Sequence, residues 1–215
     1  MKLRLIFPAE CPYNCIWCYK EGVFSERREQ LNISDYVYLI RKTGEVGFNQ
    51  FKATGGEPTN YPDLPEVIKA ARDSHYTDIR MTTIGIKLSE MDFCKSLLDT
   101  GLDGVTITVN TFNPEIYMRL TGASKKDFEL MKKGLENAVS LFGHSVTLNT
   151  VLSREMLDEI PALIQYASER GLGVKVLEML NEEKIIPPNM YVSLDEFKRK
   201  ININDGKLIN PTREL

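Results

Sequence analysis

Three cysteines fall in one short run, Cys11-Pro12-Tyr13-Asn14-Cys15-Ile16-Trp17-Cys18, with the spacing C-x3-C-x2-C. Three thiolates in so short a loop can converge on one inorganic centre. Structural zinc takes four protein ligands, usually in two separated pairs. No second pair is present, and His75 and His144 follow predicted helices, on the far side of the sheet from the strand-end loops. A [4Fe–4S] cluster normally takes four cysteines. Three would leave one iron open, and an open metal position marks a catalytic rather than a structural site. The residues alone leave three readings: a cluster with an open iron, a zinc or cluster staple, and three packed thiols. The fourth cysteine, Cys94, lies mid-helix and reads as a small packing residue.

A second motif is Thr54-Gly55-Gly56-Glu57-Pro58. Paired glycines after a strand let backbone approach a ligand closely. Exposed amides and carbonyls there suit a small zwitterion, with Glu57 as charge partner. Taken alone, the motif is also an ordinary turn.

Both motifs must be held by something. Leu3 to Phe7 reads as a strand ending at the cysteine loop, and Gln50 to Thr54 as a strand ending at the glycines. Further strands are expected at Asp78 to Thr83, Val105 to Val109, Ser145 to Leu152 and Val174 to Met179. Helices are expected at Ile33 to Lys42, capped by Asn32 or Ser34, and at Leu64 to Ser74. Others run from a Ser89 cap to Thr100, from Asn113-Pro114, over Lys126 to Phe142, and over Ile160 to Arg170. Ser193 with Glu196 reads as a capping box before a last helix. Six β–α units mean a parallel α/β sheet with crossover helices. The pattern alone does not separate an open doubly wound sheet from a partial barrel.

Composition agrees with one globular domain. The chain has 215 residues, 42% hydrophobic and 27% charged, with a net charge of −3. That excludes disorder, collagen-like repeats and a coiled coil. No apolar run reaches the roughly 18 residues of a membrane span, and no export signal is expected. The cysteines are too sparse for a disulfide scaffold. A cytoplasmic location follows as an expectation. The sequence pI of about 5.6 makes nucleic acid an unlikely partner.

The cysteine run followed by Gly55-Gly56-Glu57-Pro58 resembles the radical S-adenosylmethionine (SAM) superfamily. Later segments extend the likeness: Met81-Thr82-Thr83-Ile84-Gly85, Val105-Thr106-Ile107-Thr108-Val109-Asn110, Asn113-Pro114-Glu115, Leu120-Thr121-Gly122 and Leu177-Glu178-Met179. In this order they are similar to the GTP cyclases of molybdenum-cofactor biosynthesis, over roughly residues 3 to 180.

The resemblance implies a partial (β/α)6 barrel over residues 1–182, with residues 183–215 as a short C-terminal extension packing on it. It implies that Cys11, Cys15 and Cys18 hold a [4Fe–4S] cluster whose fourth iron is chelated by SAM. An electron would cleave SAM to methionine and a 5′-deoxyadenosyl radical, which takes hydrogen from a substrate. Trp17 would meet the adenine and Gly55, Gly56, Glu57 and Pro58 the methionine end. Thr83, Thr108 and Asn110 would lie near the SAM amino acid and ribose, and Leu180 near the adenine. Such a radical must form in a dry, enclosed site beside one chosen hydrogen.

The resemblance also implies an anionic substrate site. Arg4 matches a substrate-contacting arginine, and Lys52 stands at another family arginine. Thr147 replaces a phosphate-contacting lysine, and the cyclases' C-terminal second cluster has no counterpart after Cys94. The expected substrate is therefore a small polar molecule, nucleotide or nucleoside, rather than GTP by default. Glu178 is a further candidate, for substrate or as an ion-pair partner of Lys52. Arg4 and Lys52 could equally be barrel charges paired with Glu57 or Glu178. Tyr13 and Tyr19 flank the cysteines, and Glu26-Arg27-Arg28-Glu29 reads as a solvated loop. An electron donor such as flavodoxin or ferredoxin is implied, and a homodimer or partner subunit could close the barrel. The competing readings are a degenerate SAM-binding module and a zinc-stapled α/β protein.

Overall fold

The structure is a computed structural model that describes residues 1–7, 11–18, 31–179 and 188–201. Six strands form one sheet: β1 (Lys2–Phe7), β2 (Gln50–Gly55), β3 (Asp78–Thr83), β4 (Gly104–Thr108), β5 (Val146–Leu152) and β6 (Gly173–Glu178). Every neighbouring pair is parallel, and the order is β1-β2-β3-β4-β5-β6. That order separates the two architectures left open above. A doubly wound sheet reverses direction at a switch point. Here it never reverses, so right-handed crossovers place the helices on one face, and the twisted sheet curls into a partial barrel.

Alternation along the strands gives each face its character. Phe7, Phe51, Ala53, Ile79, Met81, Val105 and Ile107 are buried in the main core. The residues between them, Arg4, Lys52, Arg80 and Thr106, turn to the opposite, concave face. The helices α1 (Ile33–Glu45), α2 (Leu64–Asp73), α3 (Met91–Asp99), α4 (Pro114–Thr121), α5 (Lys125–Phe142) and α6 (Ile160–Arg170) cover the apolar side. The last, α7 (Leu194–Ile201), buries Phe197 with Val192, Leu152 and Ile160. The expected boundary at residue 182 lies outside the described residues.

Most helix starts follow their sequence signals. Asn32 caps α1 in a reciprocal box with Asp35. Asn113 accepts from the amides of Glu115 and Ile116, and Pro114 opens α4. Ser193 accepts from the Glu196 amide at 3.1 Å. The return half of that expected box is missing, because the Glu196 carboxylate pairs with Arg154 at 2.8 Å. Ser89 does not cap α3. It closes a one-turn 3-10 helix, Lys87–Ser89, and Glu90 takes the cap position.

Candidate functional site

The cysteine loop leaves the C-terminal end of β1 and is fastened to the end of α4. Helix termini leave carbonyls without partners, and two of these accept from the loop. The Asn14 amide donates to the Thr121 carbonyl at 2.9 Å, and the Ile16 amide to the Leu120 carbonyl at 3.1 Å. The Cys18 amide turns back to the Cys15 carbonyl at 2.9 Å. Tyr13 anchors the loop from beneath. Its ring stands edge-on to Tyr117 with centroids 6.0 Å apart, and the Tyr117 hydroxyl donates to the Tyr13 hydroxyl at 3.2 Å. Burial pushes both phenols up, so both stay neutral. Trp17 packs against Val151 and Met179, at the ends of β5 and β6.

Cys11 and Cys15 are half-buried and Cys18 is exposed. Burial pushes the Cys15 thiol up to about 12, and negative charge on Cys11 and Cys18 pushes the same way. Burial also raises Cys11, with lesser contributions from Glu57 and Cys18. A nucleophilic cysteine needs the reverse, a cationic or helix-N-terminal setting that lowers its pKa. Cys11 and Cys15 are instead neutral until a metal centre ionises them. The unfolded chain loses the Cys15 proton near pH 9.0, and the folded chain retains it up to about pH 12. The unfolded state then binds fewer protons, so stability falls as pH rises through that window. Urea unfolding of metal-free protein is expected to show this fall above pH 9, and Cys15→Ser is expected to reduce it.

The glycine motif presses on the same strand end. Gly55 has φ +137°, and a Cβ there would lie 2.4 Å from the Phe7 carbonyl oxygen and 2.7 Å from the Phe7 nitrogen. The missing side chain lets the end of β2 close against the residue from which the cysteine loop departs.

Glu57 makes protein contacts its sequence did not suggest. It is 2% exposed, and its carboxylate accepts from four protein donors. Oε1 accepts from the Thr59 amide at 3.1 Å, the Thr59 hydroxyl at 2.5 Å and the Thr83 hydroxyl at 2.6 Å. Oε2 accepts from the Ile84 amide at 2.7 Å. Burial raises its pKa, and the four donors pull the other way. The carboxylate ties the end of β2 to the end of β3, and the backbone of Gly55 to Pro58 remains to meet a ligand. In Glu57→Gln, one amide NH2 must face a backbone N–H in either orientation. We expect a loss of about 2–3 kcal/mol in urea unfolding, larger than for Glu45→Gln on the surface of α1.

Asn110 follows β4 with φ +59° and no exposure. Its Oδ1 accepts from the Val151 amide at 3.1 Å, and its carbonyl from the Thr150 hydroxyl at 3.2 Å. Its Nδ2 is buried with no partner among the described residues. A left-handed non-glycine residue with an orphaned buried donor stores strain of the kind found at functional sites. Thr83 and Thr108 end β3 and β4 at the same rim. Leu180, Tyr19 and the run Glu26 to Glu29 lie outside the described residues.

Arg4 and Lys52 are brought together, as register partners on β1 and β2. Glu178 is set apart from them. It shares the helix-side face of β6 with Val176, which packs against the α6–α7 cluster. Its carboxylate accepts from the Tyr191 hydroxyl and from the Leu194 amide at 3.2 Å. The expected pairing with Lys52 is therefore replaced by a hold on the start of α7. Cys94 is fully buried, and burial pushes its thiol up to about 11, as suits a packing residue. Thr59 and the Tyr13–Tyr117 pair carry no sequence motif, and neither does Arg80, although strand alternation with Lys52 could have found Arg80.

Residues 5–167 match the family described as the radical SAM superfamily. The chain belongs to the radical SAM superfamily. Over 180 residues it is 30% identical to a probable GTP 3′,8-cyclase of Methanococcus maripaludis, covering 84% of this chain and 59% of that protein. It is 32% identical over 178 residues to a probable GTP 3′,8-cyclase of Thermococcus kodakarensis, covering 82% and 56%. The chain thus spans less than two thirds of these relatives. Its fold matches the crystal structure of HydG, a maturase of the [FeFe]-hydrogenase, with TM-score 0.70 and 18% identity, covering 93% of this chain and 48% of that one.

Radical SAM enzymes use a [4Fe–4S] cluster and SAM, and this radical SAM chain has a donor set that fits them. Among the described residues no three His, Cys, Asp or Glu side chains converge tightly enough for a single ion. A cubane instead takes its thiolates at separate corners. Cys11, Cys15 and Cys18 form such a spread trio, in which Cys11 feels the charge of Cys18, and Cys15 that of Cys11 and Cys18. The orphaned Nδ2 of Asn110 is a donor awaiting a polar ligand. Among the described residues no helix is long and apolar enough to cross a membrane.

Proposed function

We propose that this chain is the catalytic barrel of an enzyme that cleaves SAM reductively and takes hydrogen from a small, polar, anionic substrate of the nucleotide or nucleoside class. The observation that carries the reading is the cysteine trio at the end of β1, with Cys11 and Cys15 half-buried, against which Gly55 brings the end of β2. When bound, the cluster and SAM supply one-electron cleavage of a carbon–sulfur bond and a 5′-deoxyadenosyl radical.

The chain's residues have four tasks in this reading. Cys11, Cys15 and Cys18 would lose their protons to hold the cluster, and SAM would bind beside them. The backbone of Gly55, Gly56 and Pro58 receives the methionine end, and Glu57 keeps that backbone rigid. Thr83, Thr108 and the Asn110 amide line the rim for the amino acid and ribose. Trp17, packed on Val151 and Met179, covers the adenine and keeps water from the radical. Arg4 and Lys52 then hold the substrate's anionic group from the concave face. An external reductant of the flavodoxin or ferredoxin class supplies the electron.

Two probable GTP 3′,8-cyclases among the relatives favour a purine nucleotide. Reaction with SAM, reductant and deuterated GTP or guanosine tests this. Deuterium is expected in the 5′-deoxyadenosine. Label-free 5′-deoxyadenosine with every nucleotide and nucleoside tried would overturn the substrate class while leaving SAM cleavage standing.

A further inference from the structure

Two cations stand at the start of α5, where a helix disfavours them. Lys125 and Lys126 open the helix, and both are exposed. The helix dipole places partial positive charge at that end, so cations in the first turn are repelled. The nearby carboxylates are engaged elsewhere. Asp127 accepts from the Ser124 amide at 2.9 Å and the Ser124 hydroxyl at 2.6 Å. Glu129 pairs with Lys132 at 3.6 Å. Neither Lys125 nor Lys126 has an ion pair among the described residues. The chain as a whole carries a net charge of −3, so the pair reverses the protein's sign locally.

The pair sits beside the cysteine loop. Gly122 ends α4 with φ +71°, and a Cβ there would lie 3.6 Å from the Asn14 nitrogen and 3.7 Å from the Asn14 Cβ. Lys125 follows Gly122 by three residues, which span at most about 10 Å. Asn14 immediately precedes Cys15, and Pro12 and Asn14 form an exposed edge of the loop. Packed rings lead inward from α5 to the thiols. The Phe128 and Tyr117 centroids are 5.2 Å apart, and those of Tyr117 and Tyr13 6.0 Å. Tyr13 stands between Cys11 and Cys15 in the run.

We propose that Lys125 and Lys126, with the loop edge at Pro12 and Asn14, form the docking surface for a reduced ferredoxin, a small acidic protein that carries one electron at low potential. Charge complementarity carries the choice. Two unpaired cations beside the centre attract an anionic protein and turn its cluster toward Asn14. The surface is small, as suits a transient electron-transfer encounter. In the step, the ferredoxin cluster loses one electron and the centre at Cys11, Cys15 and Cys18 gains it, with no atom or proton transferred. Stability lost to the dipole at the start of α5 is then the counterpart of faster association. This rests on the proposed function and names the partner of that same site.

Stopped-flow reduction of cluster-loaded protein by reduced plant-type ferredoxin tests the surface. The double change Lys125→Glu with Lys126→Glu is expected to slow reduction about tenfold or more at low salt and to flatten its salt dependence. It is also expected to raise the melting temperature, because the new carboxylates favour the helix start. The extent of reduction by excess dithionite should be unchanged. Lys69→Glu with Lys95→Glu makes the same charge change on α2 and α3 and should leave the ferredoxin rate within about twofold. An unchanged ferredoxin rate in the α5 variant would overturn the inference, and so would equal slowing in the α2–α3 variant. Dependence on the α5 lysines with reduced flavodoxin and none with ferredoxin would overturn the named occupant. A parent protein that loads no cluster would overturn both this inference and the proposed function. If the lysines govern ferredoxin reduction but the reduced cluster leaves SAM intact, the docking surface stands and the proposed function falls.

Discussion

Cys15→Ala is expected to remove the iron–sulfur chromophore and, with it, all 5′-deoxyadenosine formation above background. Three thiolates are the whole protein ligand set in the proposed site, so losing one leaves two irons without protein ligands. Cys15 is the middle member of the run, and its carbonyl accepts from the Cys18 amide in the turn that carries Cys18. Burial raises its thiol to about 12. Thus its ionisation depends on the metal centre, and cluster loading should release protons and strengthen with rising pH. Anaerobic reconstitution followed by absorption spectra and iron and sulfide analysis measures the effect. Cys94→Ala is the control: it should keep the chromophore and lose stability through a small cavity. Full cluster loading in Cys15→Ala would remove Cys15 from the ligand set.

Gly55→Ala is expected to cost about 3–5 kcal/mol of stability and to impair cluster retention. Two effects add. At φ +137° a side chain is strained whatever the space, and its Cβ would meet Phe7 backbone at 2.4 Å. Backbone cannot yield as a flexible side chain can, so β1 and β2 must separate at the end that launches the cysteine loop. Urea unfolding measures the first effect. Loss of the chromophore on gel filtration measures the second. Gly143→Ala is a useful comparison, because a Cβ there meets nothing within 4 Å. Its cost comes from φ +53° alone and should be smaller.

These two sites differ in how far their residues announced them. The cysteine spacing and the two glycines are local patterns, legible because each acts through its own short loop. The β–α alternation was legible for the same reason, since strand alternation and helix caps at Asn32 and Asn113 are set within a few residues. Strand order was not, because it depends on which crossovers pack together. Glu57 reads as a charge for a ligand until Thr59, Thr83 and Ile84 surround it, and two of those three belong to another strand end. Glu178 was expected beside substrate or Lys52, yet its parity with Val176 puts it on the helix side. Ser89 looks like a cap in sequence, and the 3-10 turn before α3 moves the cap to Glu90. Arg80 drew no notice because a lone arginine in a strand has no motif. Its partners, Lys52 and Gly104, appear through sheet register.

In the proposed function the three thiols hold a centre that cleaves SAM. The most direct measurement is product analysis after anaerobic reconstitution, with dithionite and SAM present and no added substrate. 5′-Deoxyadenosine and methionine are expected in equal amounts, detected by mass spectrometry and dependent on reductant. Protein with a full [4Fe–4S] cluster, bound SAM and no 5′-deoxyadenosine under strong reductant would contradict it.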